Sequence, residues 1–160
     1  MIMQKSVGII GASGLLGEAL ACEYVALGWK VVRFSRIKRE VLGEVWKVLS
    51  PEAIQGLDVL VNLAGERIDK RWTKANKKLF WDSRVGETAK IASMVSSLEA
   101  DLRPRVWLNT SAVGIYGDGG EIELIESVVG EPGYMVRLCE EWEKAAHKES
   151  LQPCRVVHPR

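Results

Sequence analysis

One short run, Gly11-Ala12-Ser13-Gly14-Leu15-Leu16-Gly17, limits what this chain can fold into more than any other feature. It follows Ser6 to Ile10, a short apolar segment suited to a strand buried on both faces. It opens onto Leu15 to Leu27, whose helical spacing stops at Gly28. A G-x-x-G-x-x-G run between strand and helix has a specific physical use. Gly11 lets the chain turn sharply out of the strand, Gly14 lacks a side chain where the backbone must approach a diphosphate, and Gly17 allows close helix packing. The helix N-terminus then offers unpaired N–H groups and the positive end of its dipole. A tight strand-to-helix turn with no ligand is the plainer reading. With strand, helix and a second strand in register, the expectation is dinucleotide binding, with Gly11, Ser13, Gly14, Leu15, Leu16 and Gly17 around the pyrophosphate.

Strand and helix signals alternate through the rest of the chain. Lys30 to Phe34 and Glu44 to Val48 read as strands, the latter followed by a Pro51 turn. Asp58 to Ala64, a near-continuous apolar run between Gly56 and Gly65, is the strongest strand signal. Trp72 to Leu98 has no Pro and a single Gly, Gly86, and reads as one long helix or two abutting ones. Arg105 to Thr110 is a further strand, and Val113 to Gly130 is a loop dense in glycine and acids. Gly133 to Lys148 reads as an amphipathic helix, and Cys154 to His158 begins one more strand. The alternation predicts an α/β fold, a doubly wound parallel sheet covered on both faces. No repeat or linker divides the chain, so residues 1–160 are expected to form one domain. The last strand has no following helix to cover it, which favours the N-terminal part of a longer protein over a complete domain with a short edge strand.

Composition narrows the partners. Against 22 Lys and Arg stand 21 Asp and Glu, a net charge of +1, and 47% of residues are hydrophobic. That balance excludes a disordered chain and lacks the basic excess of a nucleic-acid binder. Cys22, Cys139 and Cys154 are scattered, without C-x-x-C spacing, and read as reduced thiols, with neither a disulfide framework nor a metal site. The apolar stretch from Val7 to Trp29 is broken by Glu18, Glu23 and several glycines, so no membrane span is expected. Without a secretory signal, a cytoplasmic location is the default.

The end of the second strand selects the cofactor. An acidic residue there would hold an adenosine ribose hydroxyl. Here the chain reads Arg33-Phe34-Ser35-Arg36-Ile37-Lys38-Arg39, with no acid before Glu40. Ser35 and Arg36 suit a 2′-phosphate, since guanidinium matches phosphate in a bidentate way. NADP is therefore expected over NAD, a solvated basic loop being the alternative.

Four segments carry a resemblance: Gly11 to Gly17, Asn62-Leu63-Ala64-Gly65, Ser83-Arg84-Val85, and Asn109 through Gly117 (Asn-Thr-Ser-Ala-Val-Gly-Ile-Tyr-Gly). Their order resembles that of an extended or atypical short-chain dehydrogenase/reductase. The chain is most similar to the epimerase-family, sugar-nucleotide-epimerase-like branch, through Ala64-Gly65-Glu66, Arg71-Trp72 and Cys139-Glu140-Glu141-Trp142-Glu143. The resemblance covers essentially the whole chain. It implies a Rossmann-type fold, a cleft lined on its adenosine side by Asn62, Leu63, Ala64 and Gly65, and Ser111 near the nicotinamide. It also implies a C-terminal substrate portion that this sequence lacks.

The same resemblance implies a tyrosine with a lysine four residues later, on one helix face, the cation lowering the phenol pKa. The sequence departs from that pattern. Tyr24, Tyr116 and Tyr134 are followed at that spacing by Gly28, Gly120 and Leu138. Anchored on Trp142-Glu143, Met135 and Cys139 stand where the pair belongs, and Arg84 falls near the family's helical Asn. Only the hydroxyl remains, as Ser111 with Thr110 the alternative.

Ser111 and Tyr116 are thus the catalytic candidates, Tyr116 either aiming its hydroxyl into the cleft or packing on the glycine-rich loop. Arg84 either faces the cleft and binds a substrate anion or cofactor phosphate, or pairs with Glu87 or Asp82 at the surface. Cys139 reads as a buried, inert thiol, His147 as a solvated residue at a helix end, and His158 as lacking a visible partner. Trp72 reads as core, with a substrate or partner surface as the alternative, and Lys70 to Lys78 as a solvated face.

The function expected is that of an NADP-dependent oxidoreductase or epimerase-like enzyme acting on a small molecule. A non-catalytic NADP-binding sensor and an inactive fragment are the alternatives, and a homodimer is left open.

Overall fold

The strands form where apolar residues run uninterrupted, because a parallel sheet buried on both faces has no polar side to alternate with. The computed structural model describes residues 4–37, 39–126, 131–147 and 151–160. Its strands are β1 (Ser6–Ile10), β2 (Lys30–Ser35), β3 (Val45–Val48), β4 (Val59–Asn62), β5 (Val106–Asn109) and β6 (Arg155–Val157). They pair in parallel in the order β3-β2-β1-β4-β5-β6. This is the Rossmann order, with its switch of direction between β1 and β4.

Helices α1 (Leu15–Ala26), α2 (Pro51–Ile54), α3 (Lys74–Trp81), α4 (Glu87–Ser97) and α5 (Tyr134–Ala146) flank the sheet. Val7, Ile9, Val31 and Val61 point to the α1 side, and Ala21 of α1 packs into that layer. Ile10, Val32, Leu60 and Trp107 point to the other side, against Ile91, Ala92 and Val95 of α4 and Ala146 of α5. The single-residue alternation along each strand is what divides the core into two layers.

Several boundaries differ from the sequence reading for local reasons. The Pro51 turn is a short helix, because the Ser50 hydroxyl accepts from Ala53 N at 3.3 Å and proline suits a helix's first position. The run from Asp58 to Ala64 leaves the sheet at Leu63, since Asn62 ends the pairing with β1. The long helix begins after Thr73, whose hydroxyl accepts from Asn76 N at 3.2 Å. It continues from α3 into α4 through a π turn at Asp82–Gly86. The loop after β5 opens with a 3₁₀ turn at Val113–Tyr116. The end of that loop at residues 127–130 and the helix boundary at Lys148 lie outside the described residues. Among the described residues, no helix is long and apolar enough to cross a membrane.

Candidate functional site

The first turn has the geometry its glycines suggest. Gly11 adopts φ +82°, and a Cβ there would lie 2.9 Å from the Leu63 carbonyl carbon. A Cβ on Gly17 would come within 2.3 Å of Gly11 O, so α1 can start this close to the turn only without a side chain at that position. Gly14 differs. It caps α1 with φ −83°, and a Cβ would meet only Gly11 O, at 3.4 Å. Nothing among the described residues requires glycine there, and the space above it is otherwise open. No side chain caps α1, and Ser13, Leu15 and Leu16 are exposed around its N-terminus, Leu15 at 89%. Uncapped N–H groups, a positive dipole end and bare backbone together fit a diphosphate.

The cradle faces the loop after β4, and that loop is braced from below. Asn62 is buried; its Nδ2 donates to Asn109 Oδ1 at 2.8 Å, and its Oδ1 accepts from Ala64 N at 3.1 Å. Thr88 of α4 joins this cluster, its hydroxyl donating to Asn109 Oδ1 at 3.4 Å and accepting from Trp142 Nε1 at 2.9 Å. Asn62 therefore spends its side chain inside the protein and acts on the cleft through Ala64. Leu63 and Ala64 are partly buried and Gly65 is exposed, so the loop presents its backbone to the cleft.

At the end of β2, Ser35 is partly buried and its hydroxyl donates to Ile37 O, while Arg36 is exposed. Among the described residues, Arg36 has no carboxylate within 4 Å. Arg33, the other arginine of the strand, is buried and lies 3.5 and 3.4 Å from the carboxylates of Glu18 and Glu44.

Arg84 sits in the π turn and does not form either surface ion pair considered for it. Asp82 pairs with Lys78 and Glu87 with Lys90. Arg84 Nη1 instead donates to Glu66 O at 3.0 Å, and its guanidinium lies 5.3 Å from the Trp142 ring centroid. Burial pushes its pKa below the ordinary arginine value, with the nearby Cys139, Tyr134 and Glu66 acting the other way.

Ser111 and Tyr116 both follow β5 in the chain. Ser111 N donates to Pro159 O at 2.9 Å, and its hydroxyl oxygen is buried without a well-formed hydrogen bond. Tyr116 is buried, its ring 5.7 Å from the Arg160 guanidinium, at the side of a cleft of about 360 Å³ lined also by Val113, Leu124, Ile125 and His158. Thr110 is committed elsewhere, its hydroxyl donating to Asn62 O at 2.9 Å.

Three features of this region escape a linear reading. Arg160 grips Glu143 with two hydrogen bonds of 2.9 Å. Burial is the largest influence and works against the Glu143 charge, yet Arg160, Ser111 and His158 together hold the carboxyl below its ordinary pKa. His158, expected to stand alone, has two partners: Nδ1 faces Asn109 O and Nε2 faces His147 Nε2, each at 2.9 Å. Cys139 is buried as expected, and burial raises its pKa. Trp72 is 44% exposed and meets Phe80 and Tyr134 edge-on, so it is an outer wall of that aromatic group and not core.

Comparison with known proteins agrees with this geometry. A model of the NAD dependent epimerase/dehydratase family matches residues 7–139. An epimerase family protein of Mycobacterium bovis is 33% identical over 157 residues, spanning 94% of this chain and 51% of its own length. A chloroplastic epimerase family protein of Arabidopsis thaliana is 31% identical over 160 residues, spanning 91% and 45%. The human epimerase family protein SDR39U1, solved with NADPH, superposes with a TM-score of 0.77 at 26% identity, over 96% of this chain and 52% of its own. A nucleoside-diphosphate sugar epimerase of Corynebacterium glutamicum gives 0.78 at 27% identity, over 99% and 34%. The chain thus spans about half the length of the curated relatives it matches. Sheet order, glycine turn and family match converge: this chain belongs to the NAD-dependent epimerase/dehydratase family, with the NAD(P)-binding Rossmann fold of the short-chain dehydrogenase/reductases.

Proposed function

We propose that the chain is the NADP-binding half of an oxidoreductase or epimerase-like enzyme of the short-chain dehydrogenase/reductase type, acting on a small molecule. One observation carries the reading: α1 starts uncapped above Gly14, where a notional Cβ would meet only Gly11 O, at 3.4 Å, while Arg36, with no carboxylate within 4 Å among the described residues, stands at the end of the neighbouring strand. Gly11, Ser13, Gly14, Leu15, Leu16 and Gly17 would surround the pyrophosphate. Ser35 and Arg36 would hold the 2′-phosphate, and Leu63, Ala64 and Gly65, braced by Asn62, would line the adenosine side. When bound, the nicotinamide supplies or accepts a hydride. Ser111 would orient the reacting group, with the Tyr116 side chain walling the same end of the cleft.

A second reading has its own support. Met135 and Cys139 stand where the resemblance implies the tyrosine and lysine, and burial disfavours the Cys139 thiolate. A protein that binds NADP without turnover and signals its occupancy would need no such pair.

Titration with NADPH and NADH tests the first step. Gly14→Val should abolish binding of both while leaving the fold intact. Arg36→Asp should narrow or invert the preference for NADPH by about 1–3 kcal/mol; an unchanged preference removes Arg36 from the assignment. Oxidation of NADPH with carbonyl or nucleotide-sugar substrates by a full-length protein would favour the enzyme, and tight binding without turnover the sensor.

A further inference from the structure

The sequence holds 2 histidines, and the fold brings them face to face. His147 caps the C-terminal end of α5, and His158 follows the last residue of β6. A spacing of four keeps Glu143 and His147 on one face of the chain as it leaves α5. Glu143 meets Arg160 there, and one turn on, His147 meets His158, Nε2 to Nε2 at 2.9 Å.

The pair is oriented from behind. His158 Nδ1 faces Asn109 O at 2.9 Å, so Nδ1 carries the proton and Nε2 presents its lone pair to His147. A carbonyl that fixes a histidine's tautomer and angle is the outer-shell partner metal-binding histidines share. The two ring centroids are 4.8 Å apart with 56° between the planes, so the rings meet at an angle and not end to end. Metal–imidazole bonds are about 2.0–2.1 Å long, and two of them at right angles hold their nitrogens about 2.9 Å apart. The observed spacing is the same. A tetrahedral ion needs about 3.3–3.4 Å and would have to part the rings. The setting also suits a cation, since His147 stands at the negative end of the α5 dipole and the charge of Arg160 is matched by Glu143. No cluster of three or more His, Cys, Asp or Glu able to hold a metal occurs among the described residues, so the protein supplies two donors here and water completes the set. His147 is exposed, which admits that water.

We infer that His147 and His158 form a binding site for a transition-metal dication of square-planar or octahedral preference, Cu²⁺ or Ni²⁺ before Zn²⁺, which clasps the end of α5 to the end of β6. The ion replaces the hydrogen bond between the rings. The His147 proton moves to Nδ1, so both imidazoles stay neutral and each gives its Nε2 lone pair. The cofactor reading uses neither histidine, and the two stand or fall separately.

The test uses the full chain without an affinity tag, carrying Cys22→Ser to remove the exposed thiol, in a non-coordinating buffer. Equilibrium dialysis against CuCl₂, NiCl₂, ZnCl₂ or MgCl₂ should give one Cu²⁺ or Ni²⁺ per chain, weaker Zn²⁺ uptake and no Mg²⁺ uptake. The electron paramagnetic resonance spectrum of the Cu²⁺ form should show coupling to two imidazole nitrogens. His147→Ala should leave one, and should weaken uptake by more than the roughly tenfold that losing an outer-shell partner costs. His158→Asn keeps a donor for the Asn109 carbonyl and should have the same effect; either variant carries the comparison if the other does not fold. Bound Cu²⁺ or Ni²⁺ should raise the melting temperature of the histidine-bearing chain and of neither variant, because the ion joins the two elements only in the folded state. No uptake up to about 1 mM ion, uptake unchanged in His147→Ala, tighter Zn²⁺ than Cu²⁺ binding, or one ion shared between two chains would overturn the inference.

Discussion

Asn62 Nδ2 donates to Asn109 Oδ1 at 2.8 Å, tying the last residues of β4 and β5 together beneath the cleft. Because Asn62 Oδ1 also holds Ala64 N, the same side chain connects the sheet to the loop after β4. Thr88 and Trp142 extend the tie to α4 and α5. A buried polar cluster of this kind is favourable only while every member is satisfied.

Replacing Thr88 by Val should therefore cost about 1–3 kcal/mol, since Trp142 Nε1 loses its acceptor while remaining buried. Asn109→Leu should cost a similar amount and also weaken NADPH binding, by loosening Asn62 and with it Ala64. Urea denaturation gives the first quantity and fluorescence titration the second. Stability within experimental scatter of wild type for both variants would show that the cluster does not brace the loop.

Two glycines of the same turn should behave in opposite ways. At Gly17 a methyl group would press on Gly11 O and Ala12 Cα, backbone atoms that cannot swing aside, so Gly17→Ala should lose about 1–3 kcal/mol or more. Gly14→Ala meets only a contact at 3.4 Å and has an ordinary φ, so it should change stability by less than about 1 kcal/mol. Its effect should fall on cofactor affinity instead. Comparing denaturation curves with NADPH titrations for both variants separates packing from binding.

His158 predicts an acid-sensitive stability. Its Nδ1 faces a carbonyl and must donate there, which leaves Nε2 to accept from His147. Burial is the largest influence and lowers its pKa; the Asn109 carbonyl and Glu143 act the other way, while His147 and Arg160 add to the lowering. The unfolded chain then takes up a proton near about pH 6.5 while the folded chain does not, so stability falls as pH drops below that value. The fall continues until the depressed folded pKa is reached. His158→Asn keeps a donor for the Asn109 carbonyl without a titrating ring and should flatten this part of the profile. Glu143, whose folded pKa is also lowered, adds a second loss at more acidic pH, where the unfolded carboxyl protonates first. Thermal melting across the pH range would reveal both, and an unchanged slope in His158→Asn would discount the histidine.

Thiol chemistry should distinguish the cysteines. Cys22 is exposed, whereas Cys139 and Cys154 are buried, and burial pushes Cys154 up to about 11. In native protein a disulfide reagent should modify Cys22 rapidly and the other two only on unfolding, when all three react. Fast native modification of Cys139 would indicate an accessible, activated thiol and overturn its reading as buried and inert.

The order of strands and helices, the parallel sheet and the glycine turn were all legible in the chain, since each depends on residues close together. Apolar runs such as Ser6 to Ile10 specify a buried strand, and Gly11 is dictated by one backbone angle. Other features depend on which side chains meet across the fold. Sequence alone offered Arg84 either the cleft or a pair with Glu87 or Asp82, but those acids take Lys90 and Lys78, and among the described residues no carboxylate lies within 4 Å of the guanidinium. It left His158 alone, because His147 is 11 residues away along the chain and reaches it only after β6 docks beside β5. The Arg160–Glu143 pair and the Asn62–Asn109 tie arise in the same way, between segments that only the sheet brings together. Local periodicity decides what each segment becomes; charge pairing and buried hydrogen bonds are settled by long-range contact, which no local pattern encodes.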